Sequence, residues 1–177
     1  MGKVLQIDIK QENSIIAKSF EKIDYSDAYE IEIYNPKNYS IDVLATIFFT
    51  SLPSWVKALL RIRDIIVKPF GIAGGLNEKI NNNDNSVVFK PGQKVVFFTL
   101  YNRNKNEIVM AEDDKHLNFR TSVRIEKSNK KNYNYLCSST IVKYNNFGGK
   151  LYFTLVKPFH KLIIKSLLKR MANNYKK

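Results

Sequence analysis

The chain has 177 residues, of which 44% are hydrophobic and 12% aromatic, and its formal net charge is +13. This length and composition are typical of one globular domain with a sizeable core, and they exclude a disordered chain. The single cysteine, Cys137, excludes an intrachain disulfide and fits a reducing compartment. No secretory signal is visible, and the longest apolar run, Val43 to Phe49, is too short to cross a bilayer. We therefore expect a cytoplasmic protein.

The positive charge is concentrated at the C-terminal end. From Lys127 onward the chain has 12 Lys and Arg residues and no Asp or Glu, whereas the first 126 residues carry a net charge of only +1. Such an excess is compatible with a nucleic-acid or anionic membrane partner. The chain is also rich in Lys, Asn and Ile together, which is typical of an AT-rich genome. That bias explains many lysines but not the missing acids.

Residues 1–24 show weak periodicity and form a predicted lead-in segment, with a short helix or an extended stretch from Ser14. Asp27–Tyr34 alternates cleanly between apolar and acidic residues, which predicts a half-buried strand. Two predicted helices follow. The first covers Ile41–Thr50 with Ser40 as its N-cap, and the second follows Ser51 and runs to about Val67.

A Gly- and Asn-rich loop is predicted over Gly71–Ser86, and an antiparallel meander follows it. The clearest strand alternates Leu117 and Phe119 on one face with Arg120 and Arg124 on the other. Such alternation predicts that the arginine face meets water or cross-strand acids. The predicted strands of the meander are Val87–Lys90, Lys94–Tyr101, Glu107–Met110, His116–Lys127 and Tyr133–Tyr144.

A long amphipathic helix is predicted from Gly148 onward, over about 24 residues or about 36 Å. It is the one predicted element long enough to cover the apolar face of the sheet. The sequence therefore predicts a single α+β domain of helix-grip type, in which a curved antiparallel sheet wraps around the C-terminal helix. Its parts are the lead-in at 1–24, the first strand, two helices and meander at 25–147, and the long helix at 148–174. A cavity between sheet and helix is a common site for an apolar ligand.

Three segments of the chain resemble one bacterial family, the domain of unknown function 2867. They are WVKALLRIRDIIVKPFGI at 55–72, EIVMAEDDKHLNFRTSV at 107–123 and GGKLYFTLVKPFHKLIIKSLLKR at 148–170. The resemblance spans about residues 25–172 and departs from the family pattern at Asn118, where the family usually has Asp. It implies the START-like, Bet v 1-like (SRPBCC) helix-grip superfamily, with a cavity, and it implies no reaction.

His160 is the first candidate for chemistry. On a helical wheel it lies among Val156, Ile163, Ile164 and Leu167, and it therefore points at the sheet or the cavity. It is either a core histidine satisfied by one hydrogen bond or an acid–base group. Lys157, Lys161, Lys165 and Lys169 form a stripe on the other side, which is either a solvated face or a contact for phosphates or anionic lipid.

The remaining candidates fall into three groups. Trp55, Tyr101, Phe119 and Tyr135 are expected to line the cavity beside His160, although aromatic residues at such positions are also ordinary core. Asp114 and His116 belong to an acidic turn that serves either acid–base chemistry or the turn itself. Arg120 by itself forms the third group. The two histidines are far apart and no zinc-type Cys/His spacing exists, so we expect no metal and no cofactor.

The sequence leaves three hypotheses open. The leading one is a protein that binds a small hydrophobic or amphipathic ligand between the sheet and the C-terminal helix. The second is an enzyme of the same fold that uses His160 for proton transfer. The third is a binder of anionic membrane or nucleic-acid surfaces through the basic helix. Nucleic acid is disfavoured because no aromatic residues interleave with the lysines.

Overall fold

The structure is a computed structural model, and it describes residues 2–9, 14–67, 92, 94–95 and 98–175. The predicted loop at 71–86 and the predicted strand at 87–90 lie outside these residues. Within the described ranges the strands are β1 (Leu5–Gln6), β2 (Tyr25–Tyr34), β3 (Lys94–Val95), β4 (Phe98–Arg103), β5 (Glu107–Asp113), β6 (Leu117–Lys127) and β7 (Tyr133–Tyr144). The helices are α1 (Ile41–Thr50), α2 (Ser54–Val67) and α3 (Phe147–Asn174), with a 3₁₀ turn at Ile16–Lys18.

The strands form one antiparallel sheet in the order β1-β2-β7-β6-β5-β4-β3. β3 to β7 follow one another as a meander, and β2 pairs with β7. The prediction of one strand over 94–101 was wrong, because β3 and β4 are separate strands that pair antiparallel with each other. β4 extends to Arg103, and its register against β5 shifts between Leu100 and Asn102. β5 extends beyond its prediction and takes in two of the acids of the predicted turn.

The core lies between α1, α3 and the concave face of this curved sheet. α1 contributes Leu44 and Phe48, α3 contributes Leu168, and the sheet contributes Ile31 and Leu136, all fully buried. The sequence of α1 is rich in β-branched and aromatic residues, which are weak helix formers. Its stability therefore comes from burial, at about 1.5–3 kcal/mol for each large side chain. This arrangement confirms the predicted α+β helix-grip fold.

The opposite, convex face of the sheet is covered in part by the N-terminal segment. Ile16 packs against Val109 and Ile141 there. Glu107 is fully buried on the same face, and its carboxylate accepts hydrogen bonds from Ser14 Oγ at 2.8 Å and from the Ile15 backbone N–H at 2.6 Å. This segment returns across β5, β6 and β7, so residues 14–20 are part of the packed structure.

Of the two alternatives predicted for the arginine face of β6, contact with water was therefore wrong, whereas contact with a cross-strand acid is confirmed for Arg120. Arg120, Ser122 and Arg124 are all buried. Arg120 pairs with the cross-strand acid Asp113, and Arg124 pairs with Glu126 at 2.7 Å. Alternation in a strand identifies two different faces, but it does not show whether a distant segment covers the polar one.

α3 begins at Phe147, one residue before its prediction. The side chain of Asn146 caps it by accepting the Gly149 N–H at 3.0 Å, which satisfies one of the free donors of the first turn. Ser40, the predicted cap of α1, precedes that helix but makes no capping side-chain hydrogen bond. α3 continues through Pro158 and has 28 residues. Among the described helices, none is long and apolar enough to cross a membrane.

Candidate functional site

A row of polar side chains crosses the concave face of the sheet beneath α3. Asp27 of β2 pairs with Thr140 of β7, and Thr140 pairs on its other side with Thr121 of β6. Successive side chains of a strand alternate between faces. Asp27 is therefore in phase with the core residue Tyr29, and Thr121 is in phase with Val123. All three residues of the row are buried in a layer that is otherwise largely apolar.

His160 reaches this row from the buried side of α3. Its Nε2 lies 3.5 Å from Asp27 Oδ1, a distance that forms an ion pair when the imidazole is protonated. The contact does not meet the geometry of a hydrogen bond, and neither atom has a hydrogen-bond partner within the described ranges. The ring contacts Phe119 edge-on at 5.9 Å between centroids and Phe153 at 6.4 Å. The imidazole is thus held by aromatic rings beside a carboxylate.

Tyr25 completes a chain of polar groups around the carboxylate. Its hydroxyl donates to Asp27 Oδ2 at 2.6 Å. Burial, together with this hydrogen bond, raises the pKa of Tyr25 well above its usual range. Burial and the charge of Asp27 also raise the pKa of Tyr29. Both phenols therefore stay neutral and can serve as hydrogen-bond donors at physiological pH.

Several polar atoms of this layer have no hydrogen-bond partner among the residues that the structure describes. Buried polar groups are normally hydrogen-bonded, so such a set in one place requires an explanation. We call it the interior polar cluster, and it consists of Asp27 Oδ1, Tyr29 OH, Thr121 Oγ1, Ser138 Oγ, Thr140 Oγ1 and His160 Nε2. Ser138 belongs to the layer because it pairs with Tyr29 in the next row of the sheet. The cluster combines one carboxylate, one imidazole and four hydroxyls.

The structure brings together only some of the residues predicted to line a cavity. His160 and Phe119 lie in contact at the interior polar cluster. Tyr101 and Tyr135 lie on the convex face, because they alternate with the core residues Leu100 and Leu136. Trp55 lies in the first turn of α2 and is exposed. These three residues are therefore not at the place predicted for them.

Arg120 lies on the convex face, away from the cluster. Its guanidinium pairs with the Asp113 carboxylate and lies between the rings of Phe20 and Tyr101, at 4.8 Å and 4.4 Å from their centroids. Stacking of a guanidinium on aromatic rings stabilises partly buried arginines. Arg120 thus connects β4, β5, β6 and the N-terminal segment, and its role is structural.

Asp114 and His116 organise the turn that leads into β6 and support the start of α3. Asp114 Oδ1 accepts the backbone N–H groups of His116 at 2.6 Å and Leu117 at 2.9 Å, which is the local bonding typical of an Asp turn. His116 Nδ1 lies 3.3 Å from the capping oxygen of Asn146. Among the described residues, no group of three or more His, Cys, Asp or Glu side chains could hold a metal ion.

Sequence analysis missed Asp27, Tyr25 and the hydroxyl residues of the cluster. A signal for two of them was present. Asp27 is in phase with the apolar residues Tyr29 and Ile31, and Thr121 is in phase with Phe119 and Val123. A polar residue on the apolar face of an alternating strand points into the core, where it needs a partner.

The fold and this interior site define an α+β helix-grip protein with a polar cluster under its C-terminal helix. A family model described as "Protein of unknown function (DUF2867)" matches residues 19–167, and the chain belongs to this family. A search among curated proteins finds no match. The matched range includes the strands of the polar row and the part of α3 that carries His160.

Proposed function

We propose that the protein binds a small amphipathic molecule between the concave face of the sheet and α3. The observation that carries this proposal is the interior polar cluster, whose atoms have no hydrogen-bond partner in the described part of the chain. An unsatisfied buried polar group costs about 1–3 kcal/mol. Several such groups in one layer are a large cost for a domain, and a polar ligand group placed among them would offset it.

The side chains around the cluster indicate the chemistry of the ligand. Asp27 Oδ1 is able to accept a hydrogen bond from a ligand, and the hydroxyls of Thr121 and Thr140 are able either to donate or to accept one. Phe119 stacks on Phe98 at 5.7 Å between centroids, and it also contacts the His160 ring. A fitting ligand therefore has a hydroxyl- or amine-bearing polar end and an apolar body that packs on these rings.

Native mass spectrometry of the purified protein tests the proposal by detecting a co-purified small molecule. The matched variants are Thr140→Val, which removes a cluster hydroxyl, and Thr154→Val, whose hydroxyl lies on the exposed side of α3. We expect a bound mass in the wild type and no change in Thr154→Val. Thr140→Val should show a lower occupancy, because the loss of one hydrogen bond, about 1 kcal/mol, weakens the affinity about fivefold.

Titration with 8-anilinonaphthalene-1-sulfonate, an amphipathic anion, provides a second reading. Saturable binding to the folded wild type that Thr140→Val weakens supports the proposal. A native mass equal to that of the chain alone, together with no saturable binding of this probe, overturns it. In that case ordered water satisfies the cluster, as in many protein interiors.

An acid–base enzyme is the second candidate, and the contact of His160 with Asp27 favours it. A carboxylate beside an imidazole orients the ring and stabilises its protonated form during proton transfer. His160→Gln keeps a polar side chain but removes this chemistry. If the protein is an enzyme, the variant will retain a molecule chemically different from the one that the wild type retains. The same molecule in both proteins excludes turnover of the bound compound.

A further inference from the structure

The outer side of α3 carries a line of large apolar side chains, which we call the apolar ridge. Its members are between 48% and 77% exposed. They are spaced by four, four, four and three residues, which places them on one side of the helix, opposite His160. The ridge extends over about 22 Å of helix. It consists of Phe147, Leu151, Leu155, Phe159 and Leu162.

The ridge replaces the lysine-lined outer face that the sequence predicted. Lys157 and Lys165 instead lie beside the sheet, with their ammonium groups 4.8 Å and 5.0 Å from the ring centroids of Tyr25 and Tyr29. Lys150 and Lys161 share this flank, because they are seven residues before and four residues after Lys157. The outside of α3 is therefore apolar along its middle and basic along one edge. Large contiguous apolar patches on a protein surface mark sites of association.

The charge of α3 indicates what kind of partner fits the ridge. The helix carries five lysines and one arginine and no acidic residue. A second copy packed on the same ridge would place lysines beside lysines, and such like-charge contacts disfavour association. A partner with a dense negative charge above an apolar interior satisfies the ridge and the lysines at once.

We propose that α3 docks on the surface of an anionic lipid bilayer. The apolar ridge enters the boundary between headgroups and acyl chains, about 5–10 Å deep, and the lysine flank contacts lipid phosphates. The helix then lies in the plane of the membrane. Its buried side stays on the sheet, so the fold does not have to open. This surface is independent of the interior polar cluster.

Vesicle co-sedimentation tests the proposal with two pairs of variants. The first pair is Leu151→Gln/Leu155→Gln on the ridge and Leu5→Gln/Ile23→Gln, which removes two exposed apolar side chains elsewhere. The second pair is Lys150→Glu/Lys161→Glu on the flank and Lys105→Glu/Lys131→Glu, the same charge change in turns of the sheet. Each protein is mixed with vesicles of phosphatidylcholine alone or with about one third phosphatidylglycerol, at low and high salt. Circular dichroism checks that each variant is folded.

We expect the wild type to bind the anionic vesicles, to bind neutral vesicles weakly, and to lose affinity as salt rises. The ridge variant and the flank variant should each bind at least about tenfold more weakly, while both controls keep wild-type binding. Absence of binding at low salt overturns the proposal. Equal weakening by the flank variant and its control overturns it as well, because net charge alone then explains binding. Dimerisation that only the ridge variant abolishes, without vesicle binding, shows instead that a second copy covers the ridge.

Discussion

Asp27 of β2 and His160 of α3 meet across the interior, with Oδ1 and Nε2 3.5 Å apart. The contact joins the first long strand to the C-terminal helix through a layer that is otherwise largely apolar. The same carboxylate accepts the hydroxyl of Tyr25, so Asp27 holds a phenol on one oxygen and faces an imidazole on the other.

A double-mutant cycle of Tyr25→Phe and Asp27→Asn should reveal strong coupling between the two side chains. A hydrogen bond to a charged acceptor contributes about 1.5–3 kcal/mol, and we expect a coupling energy in this range. Urea unfolding of the four proteins measures it. A cycle that pairs Asp27→Asn with Tyr133→Phe, a residue that packs on Tyr34, should be additive within about 0.5 kcal/mol. Additivity in the first cycle would contradict the prediction.

Glu107→Gln should destabilise the protein by about 3 kcal/mol. The buried carboxylate accepts one hydrogen bond on each oxygen, from Ser14 and from the Ile15 backbone. An amide replaces these two charge-assisted bonds with weaker neutral ones, and the Ser14 hydroxyl has to turn from donor to acceptor. Ser14→Ala removes one of the two bonds and should cost about 1 kcal/mol. Thermal or urea unfolding measures both variants. Hydrogen exchange at the Ile15 amide should also become faster in Glu107→Gln, and unchanged exchange there argues against the predicted contact.

Tyr29→Phe should make the protein less sensitive to alkaline pH. Because burial raises the pKa of Tyr29, the folded state keeps this proton above pH 10, near which an unfolded tyrosine loses it. The raised pKa of Tyr29 stabilises the folded state fully below about pH 10. This stabilisation is lost as the pH rises further, at about 1.4 kcal/mol per pH unit. Removing the unpartnered hydroxyl should change stability at pH 7 by less than about 1 kcal/mol. Urea unfolding at pH 7 and at about pH 11 checks both statements, and parallel losses in the two proteins would refute the first.

Asp24→Asn should reduce stability at neutral pH but not in acid. The Tyr144 N–H donates to Asp24 Oδ2 at 2.8 Å, and Lys22 lies 3.3 Å from Oδ1, so the pKa of Asp24 is lowered. This stabilisation is present above the unfolded pKa of about 3.9 and is lost as the pH falls through the folded value. The stabilities of the variant and the wild type should therefore converge in acid, as the pH falls through the lowered pKa of Asp24. Glu21→Gln, at an exposed position, is the control, and its stability should match that of the wild type at neutral pH and in acid.

Gly149→Ala should destabilise the start of α3, whereas Gly148→Ala should not. A Cβ at residue 149 would overlap the carbonyl oxygen of His116, which is backbone and itself accepts the Asn145 N–H. Forced overpacking of this kind costs about 1–3 kcal/mol. At residue 148 the nearest atoms belong to side chains, at 3.2 Å and beyond, and alanine has the higher helix propensity. Unfolding midpoints of the two variants measure the difference, and similar values would contradict it.

Local patterns predicted most of the fold. The alternation of β2 and β6, the Pro and Asn breaks between elements and the apolar stripe of α3 are properties of neighbouring residues, and the structure confirms the elements that they indicate within the described residues. His160 could be placed on the inner side of α3 for the same reason. The contact of His160 with Phe119 could not be predicted from a local pattern, because it depends on how α3 lies on β2 and β7.

The sequence by itself determined which residues share a face of each strand and helix, because that depends only on the period of the element. Only the tertiary structure decided what each face meets. The register of β2, β7 and β6 aligned Asp27, Thr140 and Thr121 beneath His160. The N-terminal segment buried the arginines of β6. The packing of α3 on β2 and β7 placed two lysines against tyrosines of β2 and left the apolar ridge outside. Burial depends on distant segments of the chain, and no local pattern encodes it.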